Sequence, residues 1–272
     1  MSAISDFVKY GPVLTTDTPG HSTSGEALLC RLAILVGVVA FFLPIVLFTG
    51  AQLAGTCMRD SISHFYYAPF LGAAFVGMLF FIGGFLVAYT GDHWLEIWGS
   101  NIAAAGAFGV ALFPTTGTGC EEATFVARVF AEVINTTPFA VSPIPTGGYF
   151  ELFGETSKWH QVAAGIVFVY LGLFCLFVLR RCIEGLHIQN GQLLPSKARR
   201  NRIYTICGIV ILLCVLVLFL KSKGDAEFLE FWNRNNLTFY VEAVALWAFG
   251  FAWFTKGRPF SMLDDANYTA FK

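Results

Sequence analysis

Charge is scarce in this chain. Only 13% of its 272 residues are Asp, Glu, Lys or Arg, against about 25% in soluble domains. With 56% hydrophobic residues and a mean hydropathy of +0.65, a soluble monomer is excluded and lipid is the expected solvent. Long basic runs are missing and the net charge is −1, which argues against nucleic acid as a partner. No early basic region followed by an apolar core occurs in the polar segment 1–26. A cleavable signal peptide is therefore not expected, and the first apolar span should stay as an anchor. No CxxC pair is present, so a zinc ribbon or a thioredoxin-like site has no support. HExxH and HxxxH are also absent, and no internal repeat is evident, which weakens an inverted-repeat transporter.

What is present is a series of apolar stretches near the roughly 20 residues that cross a bilayer. Six are read as transmembrane helices: residues 29–49, 66–90, 98–113, 160–179, 203–220 and 239–254. The expected fold is an all-α integral membrane protein. A polar N-terminal segment spans 1–26, a six-helix domain 27–256, and a tail 257–272. The loop 114–159 between the third and fourth helices carries a further pattern. Thr124, Arg128, Glu132 and Asn135 share one helical face, opposite Val126, Val129, Phe130, Val133 and Ile134, which predicts an amphipathic surface helix. A second amphipathic stretch is predicted over 226–232. The third helix is rich in Ala and Gly, which permits close helix approach, and it is expected to be central.

Lys and Arg set the orientation. Six spans place eleven of the 17 on the side of both termini, six of them in the loop 180–202, so both termini are predicted cytoplasmic. Sorting the remaining polar residues by side brings out one pattern. His64 and His160 stand at the outer starts of the second and fourth helices, and Glu242 lies one turn inside the sixth. Asp60, Ser61 and Ser63 flank the first of these, in the run Asp60-Ser61-Ile62-Ser63-His64. Ionisable residues at membrane depth are costly and mark sites or partners.

Three chemistries are compatible with such a group. His64, His160 and Glu242 are the right residue types for zinc with one position left for water. Ser61 and His64, three apart, suit a serine activated by a histidine, with Glu242 or His160 completing a catalytic set. Glu242 with a histidine also suits proton-coupled transport. A plain helix cap accounts for each residue singly. Cys57 and Cys120 are the two cysteines predicted outside, where an oxidising compartment would pair them.

Ser61-Ile62-Ser63 before a helix, His160-Gln161-Val162-Ala163-Ala164-Gly165 opening another, and Phe239-Tyr240-Val241-Glu242 opening the last resemble the Frag/DRAM/Sfk group. They are also similar to a set of bacterial six-helix proteins of unknown function, as is Phe113-Pro114 closing the third helix. The resemblance implies a six-helix membrane protein, with some relatives linked to lipid remodelling and others acting as regulators. Eukaryotic members follow the last-helix Glu with Asn and His, and residues 247–254 contain neither. The functional expectation is an outward-facing polar pocket that binds or modifies a lipid or amphipathic molecule, with membrane lipids as partners. The alternatives are a non-catalytic structural, regulatory or assembly factor and a small transporter.

Overall fold

The computed structural model of the protein describes residues 13–14, 23–68, 70–89, 94–113, 115, 156–183 and 187–264. The predicted surface helix at 124–135, and Cys120, lie outside these residues.

The described residues are almost entirely helical. The helices are α1 (Thr23–Ala54), α2 (Leu71–Ala88), α3 (Trp94–Leu112), α4 (Thr156–Leu173), α5 (Pro195–Lys221), α6 (Ala226–Arg234) and α7 (Leu237–Lys256). Five of the segments are long and apolar enough to cross a membrane, namely α1, α2, α4 with its continuation to Val178, α5 and α7. In α3 the apolar part is the shorter stretch Ile97–Leu112. α1 runs on through Pro44, as a membrane helix with supporting neighbours permits. At the end of α4 the turn widens over Phe174–Val178, where Leu179 N–H donates to Phe174 C=O at 3.0 Å.

The six long helices pack as a closed ring. Each touches its chain neighbours in the order α1, α2, α3, α4, α5, α7, and α7 returns to α1. The α1–α7 contact brings backbones together: a Cβ on Gly37 would lie 2.6 Å from Phe254 N and 2.7 Å from Gly250 O. α3 is one member of this ring and not its hub. Its glycines lie against α4, since a Cβ on Gly106 would lie 2.8 Å from a Val167 methyl and one on Gly99 would meet the Tyr170 ring. α4 and α5 are pinched in the same way, because a Cβ on Gly208 would lie 2.9 Å from Gly172 O.

The second span does not begin at Tyr66. Ser63–Tyr67 forms a 3-10 turn, Ala68 is extended, and α2 starts only at Leu71. The cause is local: Pro69 in the sequence disfavours a helical Ala68 before it. Phe70 then carries a φ of 59°, a strained value for a bulky residue. This break holds the polar run 60–64 off the helix axis.

The ring interior divides along α7. Around its C-terminal half Trp253 stacks on Phe174 at 5.6 Å and meets Phe85 edge-on at 4.9 Å. Lys256 closes this box, with its ammonium 2.7 Å from Tyr89 Oη and 4.6 Å from the Tyr89 ring centre. Basic side chains nearby bond to backbone: Lys197 to Leu179 C=O at 3.0 Å, Arg199 to Met262 C=O at 3.0 Å, and Arg200 to Leu263 C=O. Two small sheets cover this end. β1 (Val13–Leu14) pairs parallel with β2 (Cys182–Ile183), and β3 (Ile188–Gln189) pairs antiparallel with β4 (Gln192–Leu193). The second is a hairpin closed by Asn190-Gly191, both at positive φ, as two-residue turns require.

Candidate functional site: a divided cavity at the N-terminal end of α7

Asp60, Ser61 and Ile62 dock onto the first turn of α7. Phe239 N–H donates to Asp60 C=O at 2.8 Å. In return the Glu242 carboxylate accepts from Ile62 N–H at 2.7 Å and from the Ser61 hydroxyl at 2.9 and 3.1 Å. Backbone and side chain thus bind in both directions across about 180 residues of sequence. Hydrogen bonds of this kind contribute about 0.5–1.5 kcal/mol each. The corner that aims α7 at this segment is Asn236, at φ 53°, a value Asn tolerates.

The expected pairing of Ser61 with His64 does not occur. The Ser61 hydroxyl is held by Glu242, and its oxygen accepts Ser63 N–H at 3.2 Å. His64 instead donates from Nδ1 to the Asp60 carboxylate, four residues earlier. Arg59 stands beside that carboxylate. Half-burial lowers the Arg59 pKa from its ordinary value, and the charge of Asp60 opposes the change. A serine activated by His64 is therefore replaced by two separate pairs, Asp60–His64 and Ser61–Glu242.

His160 reaches the same place from α4. It is 3% exposed. Its Nδ1 donates to Phe113 C=O at 2.7 Å, which fixes the tautomer and leaves Nε2 as an acceptor. That Nε2 is buried and makes no hydrogen bond within the described chain.

These groups surround a cavity of about 570 Å³, within the range of roughly 300–1,000 Å³ typical of small-molecule sites. Asp60, Ser61, Ser63, His64, His160 and Glu242 all line it. Gln161, Lys221 and Thr238 add polar wall that sequence reasoning did not assign; Thr238 is fixed by Trp232 Nε1 at 2.7 Å. α6 contributes Leu229, so the amphipathic stretch at 226–232 is a helix whose Leu229 walls the cavity. Ala164, Gly165 and Phe168 of α4 and Val215, Leu218 and Phe219 of α5 also line it.

A second cavity of about 60 Å³ lies against the first and reaches into the ring, between Leu43, Phe75, Ile82, Ala107, Leu171 and Phe249. Ser63, Ala164, Phe168 and Glu242 line both cavities. Glu242 thus stands at the boundary between a chamber of mixed polar and apolar lining and an apolar annex.

The zinc expectation for His64, His160 and Glu242 is not met by their arrangement. Each histidine has the Nδ1 partner that a ligating imidazole commonly has. Yet among the described residues no three His, Cys, Asp or Glu side chains converge closely enough to hold a metal ion. The Glu242 oxygens are turned to Ser61 and Ile62 instead. Cys57 is disulfide-bonded, while the buried Cys175, Cys207 and Cys214 form no disulfide. Compared with protein-family models, with curated proteins and with solved structures, the chain matches none.

Proposed function

We propose that this membrane protein binds a lipid or similar amphipathic molecule at the N-terminal end of α7. The polar head occupies the chamber, and part of the tail enters the annex. The observation that carries this reading is the shared wall: Glu242 borders a cavity of about 570 Å³ with both polar and apolar side chains in its wall on one side, and about 60 Å³ of almost wholly apolar space on the other. A molecule that is polar at one end and apolar at the other matches that division. All six long helices are taken to cross the bilayer, with α3 as the sixth span, in keeping with the resemblance to the Frag/DRAM/Sfk group. Both termini are placed in the cytoplasm, and the chamber faces outward. The disulfide at Cys57, close to the chamber, supports that orientation, since disulfides persist in oxidising compartments. Cys120 is proposed as its partner.

The experiment is lipid retention. Protein extracted in mild detergent is delipidated and titrated with lipids, and bound mass is read by native mass spectrometry. Wild type retains lipid, and Leu246→Trp, which fills the annex from α7, releases it. Equal retention by both would overturn the reading. A second reading, a structural or assembly factor, is favoured by the clasp between Asp60, Ile62 and α7. It expects Glu242→Gln to lower stability with no change in any bound lipid. A transporter gains less support, because the wall beyond Glu242 is apolar.

A further inference from the structure

We infer that the amphiphile held in this chamber carries a phosphate, bound by the Lys221 ammonium together with the Thr238 hydroxyl. This deepens the lipid-binding reading above and rests on it.

The ionic side chains of the chamber wall are unevenly engaged. Asp60 is held by His64, and Arg59 stands beside it. Glu242 is held by Ser61 and Ile62. Lys221 differs from both. Among the described residues its ammonium makes one hydrogen bond, to Thr238 Oγ1 at 3.3 Å, and no ion pair. Asp225, the acid four residues on, is turned to its own helix and accepts Phe228 N–H at 2.9 Å. An ammonium has three N–H donors, so two are unengaged.

Thr238 is also left with a donor. Its oxygen accepts from Trp232 Nε1 at 2.7 Å and from Lys221 Nζ, which occupies both lone pairs. The hydroxyl hydrogen can then only be donated. Thr49 and Thr205 give theirs to the carbonyls four residues back, those of Ile45 and Asn201. Thr238 is the second residue of α7, so no carbonyl of its own helix stands there, and it donates to none of the described residues. Lys221 and Thr238 are half-buried and both line the chamber, from α5 and α7. The ammonium held between them therefore lies in the chamber wall. A positive charge with unengaged N–H and O–H donors matches an anion with several acceptor oxygens, which a phosphate supplies. A neutral head would leave that charge without a counter-ion. Glu242 follows Thr238 by four residues, about 6 Å along α7, so anion and carboxylate occupy different levels.

Oleoyl lysophosphatidic acid and monoolein share chain and glycerol and differ by one phosphate. Delipidated wild-type protein in detergent is titrated with each, and bound mass is read by native mass spectrometry. The phosphorylated lipid should bind about tenfold more tightly. In Lys221→Met the two affinities should come within about twofold, with that for monoolein unchanged. Lys223→Met removes the same charge from an exposed lysine that lines neither cavity, and it should keep the preference. Glycerol 3-phosphate, the same head without a chain, should not compete at equal concentration. Equal affinities in wild type would overturn the inference and leave the lipid reading standing. So would a preference that survives Lys221→Met, or one that Lys223→Met abolishes as well. Glycerol 3-phosphate binding as tightly as the lipid would overturn the lipid reading and leave Lys221 as a site for free phosphate. No binding of either lipid would overturn both. Lys221→Gln, also uncharged, repeats the test should Lys221→Met fold poorly.

Discussion

Both ends of α7 gather polar side chains, and they use them differently. At the Lys256 end, Lys197, Arg199 and Arg200 bond to backbone carbonyls, and Lys256 is seated among the rings of Tyr89, Phe174 and Trp253. At the Glu242 end Ser61 bonds to Glu242 and His64 to Asp60, while His160 bonds to the Phe113 carbonyl, around space. Unmatched polar atoms occur at both ends. Trp253 Nε1 and Thr255 Oγ1 are buried without a hydrogen bond, like His160 Nε2. Neither Trp253 nor Thr255 lines either cavity, whereas His160 does. A buried polar group in a membrane helix is thus a poor sign of a site alone, and a good one where it borders a chamber.

Breaking each end in turn tests that contrast. The largest effect is expected at the packed end. Trp253→Ala removes a fully buried ring that stacks on Phe174, and should cost about 3–5 kcal/mol, seen as a lower unfolding midpoint in detergent and poor yield. Glu242→Gln keeps the shape of the clasp and replaces one of its two accepting oxygens by an amide nitrogen. Its cost should be about 1–3 kcal/mol, with lipid retention lost at the same time. Lys197→Met keeps the buried stem and loses one bond to Leu179 C=O. About 1 kcal/mol is expected in a thermal melt, with lipid retention unchanged. Ser61→Ala should be the mildest, at about 0.5–1.5 kcal/mol, because Ile62 N–H still holds the Glu242 carboxylate. If Lys197→Met altered lipid binding, or Glu242→Gln left it intact, the division between the two ends would fail.

The helices were legible because apolar runs of this length have few other uses. The start of α2 was misplaced because residues 66–68 continue the apolar pattern, while Pro69 acts through backbone geometry that hydropathy does not register. Asn190-Gly191 signalled its hairpin plainly and was read only as part of a basic loop. The gathering of His64, His160 and Glu242 around one cavity followed from sorting scarce charges by membrane side. Their bonding did not follow. Sequence spacing favours local pairs such as Ser61 with His64, but the deciding partner of Ser61 is 181 residues away, and that of His160 is a backbone carbonyl. Lys221 and Thr238 were missed because each sits at a helix end, where Lys and Thr are ordinary.

The pinch between Gly172 and Gly208 gives the site a lever. There α4 and α5 touch nearly backbone to backbone, and toward Gln161 residues of both helices line the chamber. At about 1.5 Å per residue, Gln161 lies about 16 Å along α4 from Gly172, so a tilt of about 5° at the pinch shifts it by about 1.4 Å. That is the width of a hydrogen bond gained or lost. On the proposed lipid-binding reading, the fit of a head group would then depend on the angle between two helices.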